Sequence, residues 1–142
     1  MDVCPGMVFY LPFRRLYGQA GSPYPKYAIV ARTDPDVLML MVCTEIAPFA
    51  HNNDKLLRSY VEIDQTNHPF LDYDSWVDCN DAKDEYSLLA LNEAHANDPA
   101  CYVGDLSRGV LKKIVGGVDT SVKLERRKKR SISRALNQVI NT

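Results

Sequence analysis

The sequence predicts a mainly β protein with C-terminal α-structure, a small barrel-like sheet with helices packed at one end. Three observations predict it. First, Lys26–Thr44 carries two apolar runs, Tyr27–Val30 and Val37–Cys43, on either side of Asp34-Pro35-Asp36. Pro35 pre-sets its own φ for a turn and Asp34 can cap that turn with its side chain, so strand, turn, strand is the reading. Second, four further short runs have strand character and are separated by Gly, Pro and Asn. Third, two stretches of helical spacing end the chain. Closure of so short a sheet would remove its exposed edges.

The hairpin justifies itself residue by residue. Its second run, Val-Leu-Met-Leu-Met-Val-Cys, does not alternate. By pattern it is either a strand covered on both faces or a short buried helix. The β-branched residues on both sides of the turn favour the strand, and make this the central hairpin of the sheet. Before it, Pro5–Phe13 reads as a first strand. Gly6 permits an opening bend, and Pro12 places the strand end at an edge or bulge. Arg14–Pro25 reads as a loop, because Gly18, Gly21, Pro23 and Pro25 exclude regular structure over most of it.

After the hairpin, Ile46–Lys55 reads as a second loop. Arg58–Ile63 alternates and gives a fourth strand, and Asn67-His68-Pro69 turns the chain. Asp74–Cys79 is a fifth strand, with Ser75, Val77 and Cys79 on one face and Trp76 and Asp78 on the other. Asp84–His95 is a short helix or an irregular insertion, and Ala100–Val103 a sixth strand. From Asp105 a helix carries the stripe Leu106, Val110, Leu111, Ile114 and Val115, capped by Asp105 or Ser107 and stopped by Gly116-Gly117. A second helix, about Ser121 to Ile140, has apolar points at Val122, Leu124, Ile132, Leu136, Val139 and Ile140.

Composition bounds the class. At 142 residues, 46% apolar and 25% charged, one globular domain is expected. Residues 1–118 would form the barrel with its packed helix, and residues 119–142 a basic helix of the same domain. No apolar run approaches the roughly 20 residues of a membrane span. The N-terminus lacks the basic and apolar regions of a signal peptide, so a cytoplasmic protein without membrane partners is expected. Cys4, Cys43, Cys79 and Cys101 are widely spaced, without a Cys-x-x-Cys pair; Cys43 and Cys79 end apolar strand-like runs and are expected as buried thiols, and no disulfides are expected. Charge is unevenly placed. Up to Leu111 there are eight basic and sixteen acidic side chains; from Lys112 onward there are nine basic and two acidic. The block Glu125–Arg130 is the densest part. It suits phosphate, a solvated helix face, or the acidic body of the same chain.

Other chemistries find little support. His51, His68 and His95 fall in loops without ligand spacing, so no metal and no cofactor is expected, and His68 reads as a turn residue. There is no Gly-x-Ser-x-Gly and no phosphate loop.

The order of pieces resembles the MazF/PemK (Kid-type) toxins of bacterial toxin–antitoxin pairs, with this chain a divergent member. Pro5–Pro12 looks like the family's opening strand. Lys26–Ala31 stands where the family has Arg-Pro-Ala-Leu-Val, and Val42-Cys43-Thr44 looks like its strand ending in threonine. Asp74–Lys83 is similar to Asp-Ser-Val-Val-x-Cys-Asp-Gln-Ile-Arg, and Val103–Ser107 to Ile-Gly-x-Leu-Ser before the C-terminal helix. Each piece is short; the order, spanning most of residues 5–118, is the specific part.

The resemblance implies an SH3-like barrel of the MazF/PemK/CcdB-like kind, a homodimer, an antitoxin partner and metal-independent cutting of single-stranded RNA. In that reaction a 2′-hydroxyl attacks the adjacent phosphorus, which needs groups to take and return a proton and cations on the non-bridging oxygens. Carried over residue by residue, Lys26, Thr44, Lys83 and Asp81 are the catalytic candidates. Gln19 and Tyr24 in the first loop, Trp76 as a stacking surface, and Arg126, Arg127 and Lys128 in the basic block are the RNA-binding candidates. Both family arginines are lysines here, and the glutamine position is Asp81. Lysine offers a point charge where arginine offers a two-pronged fork. RNA would lie in a groove between the first loop and an Asn80–Lys83 turn, and the alternative is a non-catalytic relative that binds nucleic acid or protein through that groove, phage- or plasmid-encoded. The insertion at Tyr86–Asp98 and the basic helix beyond Gly117 lie outside the family's compact pattern.

Overall fold

The computed structural model describes residues 1–14 and 24–142. Six strands form one antiparallel sheet: β1 (Met7–Phe13), β2 (Tyr24–Arg32), β3 (Leu38–Cys43), β4 (Tyr60–Ile63), β5 (Ser75–Lys83) and β6 (Tyr102–Asp105). Their order is β4-β5-β3-β2-β1-β6 in a curled half-barrel, with β4 and β6 as its edges. The central pair is β2 with β3, as the apolar runs predicted, joined through a cis Asp34–Pro35 bond. Gly6 takes the bend before β1 at φ 97°, and its N–H bonds Val30 O at 2.8 Å.

Each sheet face has its own cover. On one face Val8, Ile29, Leu40, Val42, Val77 and Cys79 pack with Ile114, Ile132 and Leu136 of the helices α4 (Arg108–Thr120) and α5 (Arg126–Ile140). On the other, Phe9, Leu11, Phe13, Ala28, Val30 and Met39 pack with Leu91 of α3 (Leu88–Asn97) and Cys101 of a 3₁₀ turn, Pro99–Cys101. A third cluster, Ala50, Leu56 and Tyr60 with Cys43 and Trp76, gathers under two single-turn helices, α1 (Pro48–His51) and α2 (Asp54–Leu57). Double cover explains the missing alternation in β3, where four of six residues are buried.

Several expectations change. Tyr24 and Pro25 belong to β2 and not to the preceding loop. Ile46–Lys55 contains helical turns, the second capped by the Asn53 side chain, which accepts from the N–H of Lys55 and Leu56. Asp84–His95 resolves as α3, starting later, with Ser87 as its cap.

Gly116-Gly117 does not stop α4, which runs to Thr120. Gly117 faces the sheet where a Cβ would stand 3.0 Å from Val61 Cγ2 and 3.1 Å from Cys79 Sγ. It is there for close helix-on-sheet approach, a role that a sequence pattern cannot tell from a helix end. His68 is buried as a turn residue: Nδ1 lies 3.0 Å from Asp64 O, and Nε2 accepts from the N–H of Ser107 at 3.3 Å, just before α4. The four cysteines are free thiols. No helix among the described residues is long and apolar enough to cross a membrane.

Candidate functional site

The α3-covered face carries an uncovered polar strip. Residues directly opposite each other across antiparallel strands share a face. Val30 opposes Met39, which opposes Lys83; Ala28 opposes Met41, which opposes Asp78; Cys43 opposes Trp76. Lys26 has the parity of Ala28 and Val30 and so joins the same face. Lys26, Met41, Cys43, Asp78, Asp81 and Lys83 are all half-buried, lying between the apolar patch under α3 and the one under α1 and α2.

Asp78 and Lys83 share this face only because β5 is irregular. Five residues apart, they would point to opposite sides of a regular strand. Leu40 and Met41 are neighbours on β3, yet their partners on β5 are Ala82 and Asp78. Cys79, Asn80 and Asp81 form an excursion between them that reverses the parity of the residues beyond it. Its residues are anchored on the far side. Asn80 donates to Leu56 O at 3.1 Å and accepts from Ser121 Oγ at 3.0 Å, and Cys79 N bonds Ser59 O at 2.9 Å. The segment expected as an Asn80–Lys83 turn is therefore strand.

Asp78 is the group that the sequence reading left without a role. Its Oδ1 accepts from Asn80 N at 2.9 Å, and Tyr60 Oη donates to its Oδ2 at 3.4 Å. Its carboxyl is raised above the ordinary range, chiefly by loss of water around it. The Asn80 N–H bond opposes that shift and the nearby Asp81 charge adds to it. A half-buried carboxyl poised this way suits proton transfer. Its parity with Trp76 was readable; its desolvation was not, because α1 and α2 lie in a stretch read as loop.

The neighbours divide the labour. Lys83 Nζ pairs with Asp81 Oδ2 at 2.7 Å, the lysine side chain 19% exposed and the aspartate 48%. Cys43 lies beside Lys26 and Asp78. Burial first, then the Asp78 charge, pushes its thiol up to about 11 against a smaller pull from Lys26, so it stays protonated at neutral pH. Tyr60 is likewise pushed up to about 12 by burial and Asp78.

The predicted residues do not gather in one place. Lys26 and Thr44 line one hollow of about 330 Å³ with Tyr10, Cys43 and Asp72. Asp81 lines a second hollow, about 480 Å³, with Asp78, Tyr60 and Lys123. Lys26 and Lys83 lie on one face, but their rows are separated by the length of β3 from Met39 to Cys43, roughly 13 Å along the strand. Tyr24 begins β2, with the Lys26 ammonium 5.7 Å from its ring centroid. Trp76 is half-buried against the α1–α2 cluster. Gln19 lies outside the described residues.

Arg126, Arg127 and Lys128 open α5 on the opposite layer, away from the strip. The first turn of α5 holds no acidic residue, so these cations stand at the positive pole of the helix. Their charges oppose the helix dipole there, with Glu125 at the cap position beside them. The described ion pairs are Arg32–Asp36, His68–Asp64 and Lys83–Asp81, and none involves α5. Compared with protein-family models and with curated proteins, the chain matches none.

Proposed function

We propose that this protein is a metal-independent endoribonuclease of the MazF/PemK type acting on single-stranded RNA, with the curled sheet a divergent SH3-like barrel. The observation that carries the reading is the strip itself. A desolvated carboxyl, Asp78, and two ammonium groups, Lys26 and Lys83, share one uncovered sheet face although they come from distant parts of the chain.

The chemistry follows from those groups. A 2′-hydroxyl gives its proton to the Asp78 carboxylate as its oxygen bonds to phosphorus. The bond from phosphorus to the 5′ oxygen breaks, and that oxygen takes a proton from the Lys83 ammonium. The products are a cyclic 2′,3′-phosphate and a free 5′-hydroxyl; solvent then restores both side chains. Asp81 orients Lys83 through its 2.7 Å contact. Lys26 and Thr44, in the adjoining hollow, hold the neighbouring phosphate. Growth inhibition, an antitoxin that covers the strip and a homodimer belong to the same reading.

A second reading rests on the Lys83–Asp81 pair. A lysine already tied to a carboxylate, where a fork-shaped arginine would grip phosphate, suits a module that binds without cutting. Incubation with labelled single-stranded RNA in EDTA separates the two. Cutting predicts fragments ending in cyclic phosphate, lost in Asp78→Asn and Lys83→Met. Salt-sensitive binding with intact RNA refutes the nuclease and leaves the binding module.

A further inference from the structure

Four arginines of α5 lie together. Arg126, Arg127, Arg130 and Arg134 line one shallow hollow with Ser131. All four are exposed. The series 126, 130, 134 returns to the same helix face and rises by about 6 Å per step. That rise is on the scale of the spacing between phosphates along an extended strand. No carboxylate pairs with any of them among the described ion pairs.

Ser131 also accepts from Arg32 Nη1 at 2.7 Å, which fixes this stretch of α5 to the end of β2. A second hollow continues past Arg134 along Arg32, Thr33 and Gln138, and Asp34 stands on its border. The end of β2 is also the end of the sheet where Lys83 opposes Met39. The Ser131–Arg134 end of the stripe thus lies at the same end of the sheet as Lys83, on the opposite layer.

We infer that Arg126, Arg127, Arg130 and Arg134 form a docking track for the phosphodiester backbone of single-stranded RNA, outside the strip and away from the reacting atoms. The inference deepens the RNA reading above and names a second place where the strand is held. Arginine at every position of the stripe favours phosphate, because its planar fork takes two oxygens at once. A membrane surface is disfavoured: Ile132, Leu136 and Ile140, the apolar side of α5, are all spent in the core and leave nothing to insert between headgroups.

The test separates holding from cutting by using 2′-O-methyl polyuridine, which has no free 2′-hydroxyl to react. Its affinity for the full chain is measured by anisotropy across a salt series. Each phosphate contact with a single strand contributes about 0.7 to the slope of log affinity against log salt. The variant Arg126→Gln/Arg127→Gln/Arg130→Gln/Arg134→Gln should lower that slope by about 3, and Arg130→Gln alone by about 0.7. Lys112→Gln/Lys113→Gln, which removes two exposed cations of α4 outside the stripe, should leave it unchanged. An unaltered slope in a folded quadruple variant overturns the track, whether or not RNA is cut. So does retention on phosphatidylserine vesicles that the quadruple variant loses while its RNA affinity stays constant. A stripe-dependent slope in a chain that cuts no RNA keeps the track and removes the nuclease.

Discussion

Two adjacent glycines allow the packing of α4 to be measured against a matched control. Replacing a helical glycine with alanine favours the helix by about 1 kcal/mol at either position. At Gly116 nothing stands within 4 Å of the new Cβ, so Gly116→Ala should stabilise by about that amount. At Gly117 the same methyl meets Val61 Cγ2 at 3.0 Å, Cys79 Sγ at 3.1 Å and Cys79 Cβ at 3.4 Å. Val61 and Cys79 are themselves buried on β4 and β5, so neither has room to retreat. Overpacking of this kind costs about 1–3 kcal/mol. Gly117→Ala should therefore come out near neutral to about 2 kcal/mol destabilising. Because the helix term cancels between the two variants, their difference isolates the contact at about 1–3 kcal/mol, or roughly 3–9 °C in Tm for a domain of this size. Urea unfolding with unchanged m-values gives the difference directly. Equal stability of the two alanine variants would refute the close approach of α4 to the sheet.

Two more outcomes concern the strip and the thiols. The Asp78 carboxyl is raised in the folded protein, so the fold holds its proton more tightly than the unfolded chain does. Stability should then decline as pH rises from about 4, the unfolded value, through the raised folded one. Asp78→Asn, which can keep the Asn80 N–H bond, should remove that decline and be at least as stable at neutral pH while losing RNA cutting; pH-dependent urea unfolding reads it. Thiol labelling supplies the other. With iodoacetamide at pH 8, exposed Cys4 should react first, while Cys43, pushed up to about 11, and buried Cys79 stay unmodified in the folded chain, as peptide mapping would register.

The hairpin and the C-terminal helices were legible in the sequence because their signals are local. Apolar runs around Pro35 and the stripe through Leu111 and Ile114 need no knowledge of the rest of the chain. The outward face of Asp78 was legible too, from simple alternation with Val77 and Cys79. The features that were not legible depend on partners distant in sequence. Gly117 reads as a helix stop until Val61 and Cys79 are placed beneath it. Lys83 reads as a turn residue until Asn80 is seen anchored to Leu56 and Ser121. The shift in Asp78 needs α1 and α2 folded over β5, and their single turns are too short to leave a periodic trace. The basic block allowed three readings. None of the described ion pairs involves α5.

The three-residue excursion in β5 makes the sidedness of Lys83 hang on the bonds that hold the excursion out of the ladder. Replacements at Cys79 or Asp81 that leave Asn80 tied to Leu56 and Ser121 keep the lysine where it is. A replacement of Asn80 that let β5 run on regularly past Asp78, with no residue lost, would carry the lysine around to the layer occupied by α4 and α5. A descendant of this chain could in that way retain its shape and part with its chemistry in a single event.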